Sequence, residues 1–131
     1  MKKLIIWLMI GGLLIGFGVP IQAAHQGIKT KYGYIELYDP DTAIYIKPVR
    51  NQRIVRVPDQ VVIDGYNVRI IGVKRNAFKS KRIRIIYLGK NVFLIPKKTF
   101  NGTKKRIIVK NTMTWQAVKK SCVGKNKLIM R

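Results

Sequence analysis

The chain is poor in the residues that most chemistry requires. Its 131 residues include one Cys, Cys122, and one His, His25. A single Cys excludes an internal disulfide, a Cys-built zinc site and an iron–sulfur cluster. A single His excludes a His-rich metal site. Ser80 and Ser121 are the only serines. Acids are scarcer still. Glu36, Asp39, Asp41, Asp59 and Asp64 stand against 27 Lys and Arg, a formal net charge of +22. From Gly65 to Arg131 there is no acid among 19 basic residues. Such a block lacks internal ion pairs, repels itself and attracts polyanions in a salt-sensitive way. These absences exclude most hydrolytic and metal-dependent enzymes. The expectation is a non-enzymatic protein without a cofactor or metal.

What is present is apolar. Hydrophobic residues make up 47% of the chain, too many for a disordered basic tail. The longest apolar run, Leu4 to Val19, follows Lys2 and Lys3 and ends at Pro20. Ile21, Gln22, Ala23 and Ala24 come next. The order of charged, apolar and small residues is that of a secretory signal peptide over 1–23, cut after Ala23. Cleavage after Ala24 places polar Gln22 third before the cut, which is less favourable. The other reading is a retained membrane anchor. The run has 16 residues, short of the roughly 20 that spanning needs. No Cys follows it, and no later stretch is apolar enough to span. The product is expected to be secreted or held in the cell envelope, with no stable membrane span after signal removal.

Residues 24–53 read as a hairpin and a basic connector. Tyr32 to Tyr38 and Ala43 to Lys47 alternate around Asp39, Pro40, Asp41 and Thr42, which are strong turn formers. Alternation places Ile35, Leu37, Ile44 and Ile46 on one face and Tyr32, Tyr34, Tyr38 and Tyr45 on the other. The tyrosine face is either cross-strand pairing on a half-exposed sheet or a stacking platform for a glycan or partner chain. Pro48 to Arg53 is the connector. Ile54 to Val57 is a short strand stopped by Pro58 and Asp59. Val61 to Ile63 and Tyr66 to Val68 flank Asp64 and Gly65, the strongest short hairpin signal, because a type I′ turn needs positive φ twice.

An internal repeat sets the architecture over 54–111. Ile70, Val73, Ala77 and Phe78 recur as Val92, Ile95, Thr99 and Phe100, each 22 residues later. A polar turn follows each Phe, then a basic tract and an aliphatic strand. Ile83, Ile86 and Leu88 are the inward residues of the first. In the second, the inward set is either Ile107 with Val109 or Ile108. One strand per period near 22 suits a mainly β, short leucine-rich-repeat-type solenoid of about two coils preceded by β-hairpins. Residues 112–131 form a basic cap or tail, in which Thr114 to Lys120 reads as a short capping helix. Thr114 suits its N-cap, the lysines suit its C-terminal dipole, and Trp115 is placed to seal the open coil.

The spacing of Val73, Ala77, Phe78, Ile83, Ile86 and Leu88 resembles the BspA-like leucine-rich repeats of bacterial and protist surface proteins. The strand at Val55 and Val57 and the Asp64–Gly65 hairpin are similar to the lead-in such proteins carry. The first turn is one residue short and lacks the family's Cys, and Thr103 stands for Cys in the second. The resemblance implies protein binding or adhesion at the cell surface.

Little else points to chemistry. Asp39 and Asp41 stabilise a turn more readily than they bind a cation. His25 lies on a tail that cannot position a base. Cys122 lies among Lys119, Lys120 and Lys125, with no second His to pair with. Asn101, Gly102 and Thr103 form a glycosylation sequon that marks only a loop. The basic tracts are Lys79, Lys81, Arg82 and Arg84, then Lys97, Lys98, Lys104, Lys105 and Arg106. In stacked coils they would align as one stripe for teichoic or lipid phosphates, acidic glycans or nucleic acid, or simply as a solvated face. The leading expectation is a binding module for a protein or an anionic cell-surface polymer. The alternative is a nucleic-acid-binding basic protein, although the repeat carries no nucleic-acid motif.

Overall fold

The Asp39–Thr42 turn nucleates the first hairpin. The computed structural model describes residues 27–100, 103–121 and 123–131. The expected signal peptide over 1–23 with its cleavage residue Ala23, and His25, Asn101, Gly102 and Cys122, lie outside them. Strand β1, Ile28–Lys29, pairs with β2, Tyr34–Asp39, which turns into β3, Thr42–Lys47. The Asp41 N–H donates to Asp39 Oδ1 at 3.1 Å, the Asx contact that favours Asp in turns. The expected faces are corrected in β3. Tyr45 pairs with Ile35 and is fully buried, whereas Ile44 pairs with Glu36 on the outer face. Register shifts at Tyr34–Ile35 and Leu37–Asp39 break the simple alternation, and a one-residue slip exchanges the faces.

After the connector, β4 spans Ile54–Arg56. Strands β5, Gln60–Ile63, and β6, Tyr66–Val73, form the second hairpin. Asp64 and Gly65 have φ of 51° and 84°, as a type I′ turn requires. β6 then runs parallel to β3, giving a five-stranded curled sheet in the order β1-β2-β3-β6-β5.

A second sheet is wholly parallel. β4 pairs with β7, Ile85–Tyr87, then β7 with β8, Arg106–Val109, and β8 with β9, Lys127–Met130. Strands form 40% of the described residues and helix 9%, so the fold is mainly β. Between the two sheets lies one core. The Tyr45, Phe78 and Phe100 rings stack in a column, with centroids 6.0 and 5.9 Å apart. Ile70, Val73, Ala77, Ile83, Ile86, Leu88 and Val92 are buried around it, and Ile95 packs against it half-buried. Ile107 and Val109 join this core, and Ile108 faces the other way at 5% exposure. Gly72 is required where β6 meets Leu94. A Cβ there would lie 2.7 Å from the Leu94 carbonyl oxygen.

Helix α1, Thr112–Lys120, closes one end. Its N-cap is Asn111, whose Oδ1 accepts from the Thr114 N–H at 2.9 Å; Thr114 does not cap it. Thr114 is instead buried, and its hydroxyl donates to the Val92 carbonyl at 2.8 Å. Val118 is buried beside it and Trp115 packs half-buried on the core.

Candidate polyanion-binding cleft

Strand alternation decides which residues the parallel sheet presents outward. Val55, Ile86 and Ile107 pair in register and are fully buried. Their flanking positions therefore face out. One outer row runs Ile54, Ile85, Arg106 and Lys127, and the other Arg56, Tyr87, Ile108 and Ile129. The Arg56 guanidinium lies 4.1 Å from the Tyr87 ring centroid, a stacked cation–π contact.

At the N-terminal margin of this face, cations converge. Arg84 N–H donates to the Arg53 carbonyl at 2.8 Å, and Arg106 N–H to the Arg84 carbonyl at 2.9 Å. These bonds hold three arginines at successive levels of the sheet. Arg53, Arg84, Lys104 and Arg106, with Ile85 between them, line a cleft of about 340 Å³. A smaller cleft of about 240 Å³ shares Arg84 and Lys104 and adds Lys81, Ile83, Thr103 and Lys105. Among the described residues the ion pairs are Asp41 with Arg69, Glu36 with Lys74 and Asp59 with Lys110. None involves a cation of the cleft. An uncompensated cluster in a recess concentrates positive potential where an anion would sit.

The basic tracts are divided between the clefts and the open surface. Arg84, Lys104 and Arg106 come together in the cleft, and Lys81 lies beside them. Lys79, Arg82, Lys97 and Lys98 are exposed but line neither cleft. Lys105 is a correction. It is 5% exposed, and its Nζ donates to the carbonyls of Ser80 at 2.8 Å and Ile83 at 2.6 Å. Desolvation by burial, aided by the nearby Arg84 charge, lowers its pKa from the ordinary lysine value. One level on, Asn126 acts similarly, donating to the Phe100 and Val123 carbonyls at 2.7 and 2.6 Å. Its Oδ1 accepts the Lys105 N–H at 2.8 Å. Lys105 supplies the donor for the Ile83 carbonyl, while the Ser80, Phe100 and Val123 carbonyls also accept from the Ile83 N–H, the Thr103 hydroxyl and the Asn126 N–H.

Sequence reasoning missed Arg53, which reads as part of a loop. The available signal was position: Arg53 directly precedes Ile54 as Arg84 precedes Ile85. The tyrosine platform is also corrected. Tyr45 is buried and donates to the Tyr32 carbonyl at 2.8 Å, while Tyr38 is 65% exposed. Tyr32 and Tyr34 are half-buried beside Lys31 and Lys47. Asp39 has its pKa lowered by the nearby Thr42 side chain and then by Asp41, whose N–H its carboxylate accepts, in keeping with a turn. No three His, Cys, Asp or Glu among the described residues group to hold a metal ion, and none of their helices is long and apolar enough to cross a membrane. Comparison with family models, curated proteins and solved structures finds no match.

Proposed function

We propose that the chain is an exported, non-catalytic binding module that holds an anionic macromolecule of the cell surface at the Arg53–Arg84–Lys104–Arg106 cleft. The carrying observation is the convergence of four cations in one recess with no carboxylate paired to any of them. Phosphate or sulfate groups at repeated spacing match such a cluster, and arginine's planar fork favours them in particular. The parallel order of β4, β7, β8 and β9 supports a short solenoid of leucine-rich-repeat type. In that architecture the cleft lies along the outer face of the stacked strands. The uncharged run at 4–19 supports export.

Two measurements test this reading. Fractionation of producing cells should recover the chain outside the cytoplasm, shortened by about 2.5 kDa, the mass of a typical cleaved signal. Binding to poly(glycerol phosphate) and to heparin should weaken steeply with added salt, as counterion release requires. Full-length chain retained in the cytoplasm on nucleic acid would replace this reading with a nucleic-acid-binding one.

A further inference from the structure

We propose that the free edge of β5 accepts an additional strand, an acidic extended segment of a partner protein. This goes beyond the cationic cleft and uses a different part of the molecule. β5 is the last strand of the five-stranded sheet, and no described strand pairs with its outer side. Its register fixes which backbone groups are unpaired. The Ile70 N–H donates to the Asp59 carbonyl at 3.1 Å, so the Asp59–Ile70 pair is a bonded one. Bonded and non-bonded pairs alternate in an antiparallel ladder. Val61–Val68 and Ile63–Tyr66 are therefore bonded pairs, and the N–H and C=O groups of Gln60 and Val62 point away from β6. That outward row is a template for one more strand.

The surroundings specify the occupant. The sheet curls so that its two margins border one opening. Gln60, Val61, Val62 and Ile63 of β5 and the turn from Lys29 to Tyr32 together line a cleft of about 540 Å³. Lys29 and Lys31 are the charges that the turn contributes, and neither is among the described ion pairs. Asp64, at the hairpin tip, is not paired with them either. Val62 and Tyr66 are 66% and 72% exposed at this margin. A strand laid here places alternate side chains on opposite faces. Acidic residues on such a strand meet Lys29 and Lys31, and the apolar residues alternating with them meet the exposed Val62. A second copy of the chain fits less well, because pairing β5 with β5 brings two sets of Lys29 and Lys31 together.

The probe is a blocked seven-residue peptide alternating glutamate and valine, followed by fluorescence anisotropy with the full chain. Two controls keep its charge: a scrambled peptide, and one N-methylated at alternate positions so that one edge cannot donate. Val62→Pro removes an outward N–H at an edge position, where proline is tolerated. The acidic peptide should bind at least ten-fold more tightly than either control. Val62→Pro should weaken it about ten-fold with the far-UV spectrum unchanged, and Lys29→Glu with Lys31→Glu should shift preference to a lysine–valine peptide. Equal binding of the N-methylated peptide would reveal mere charge attraction and overturn the proposal, whether or not Val62→Pro folds. A dimer that Val62→Pro dissociates, seen by sedimentation, would assign the edge to a second copy and overturn it too. The cleft reading survives either result, because its cations lie elsewhere.

Discussion

Lys104 and Lys105 are adjacent in sequence and opposite in role. Lys104 lines the cationic cleft in solvent, whereas the Lys105 Nζ is turned inward onto the Ser80 and Ile83 carbonyls. Lys104→Gln should weaken polyanion binding and reduce the salt slope by about one, with stability unchanged. Lys105→Met leaves the Ile83 carbonyl without its side-chain donor and should cost about 1–3 kcal/mol. At a salt concentration where both variants remain folded, its polyanion affinity should stay near that of the parent. Urea unfolding and heparin titration on the same samples separate the two effects.

The ring column gives a second expectation. Phe78 sits between Tyr45 and Phe100 and is fully buried. Phe78→Ala removes two stacked contacts and opens a cavity, and should cost roughly 3–5 kcal/mol. Tyr45→Phe keeps the ring and loses only the bond to the Tyr32 carbonyl, so its cost should be about 0.5–1.5 kcal/mol. Denaturant midpoints at constant slope measure both.

Asp59 joins the β4–β5 corner to the start of α1. Its carboxylate accepts the Lys90 N–H at 2.8 Å and pairs with Lys110 at 3.1 Å. Partial burial acts to raise its pKa, but the Lys90 hydrogen bond and the Lys110 charge outweigh burial and hold it below the usual value. The folded state therefore binds this proton more weakly than the unfolded state does. The resulting stabilisation is complete above the unfolded value of about 3.9 and disappears as pH falls through the folded pKa. Asp59→Asn should lose no more than about 1 kcal/mol at pH 7, since Lys110 is half exposed. At a pH below the folded pKa, variant and parent should unfold at the same urea concentration.

Helix capping supplies a fourth. Asn111→Ala removes the acceptor for the Thr114 N–H and should cost about 1 kcal/mol. Thr114→Ser keeps the hydroxyl that meets the Val92 carbonyl and should cost less than Thr114→Val, which leaves that carbonyl unpaired. Thermal unfolding ranks the three.

The mainly β class, both hairpins and the terminal helix were legible because each rests on local chemistry. Asp64 and Gly65 can hold positive φ, and the Asp39–Thr42 segment can bond its own backbone. The 22-residue spacing identified Phe78 and Phe100, whose rings do stack. Legibility failed where tertiary register overrides local pattern. Tyr45 faces inward because irregular pairing with β2 shifts the alternation. Lys105 was read as surface because its charge hides a long stem that can carry an ammonium to buried carbonyls. Asn111, not Thr114, caps the helix, because the Thr114 hydroxyl is used by the level beneath. Arg53 gave no motif of its own; only its alignment with Arg84 across parallel strands makes it part of the cleft.

The measurement bearing most directly on the cleft compares two four-site charge reversals in heparin titrations over a range of salt. One reverses Arg53, Arg84, Lys104 and Arg106 to Glu; the other reverses Lys97, Lys98, Lys119 and Lys120, which are exposed and outside both clefts. Both remove the same number of positive charges and add the same number of negative ones, so position is the variable. With circular dichroism confirming that both variants are folded, the cleft set should abolish most of the affinity and lower the salt slope by up to about four. The second set should leave most of both in place. Equal losses from the two sets would mean that heparin senses only the net charge of the chain, and would contradict a localised binding cleft.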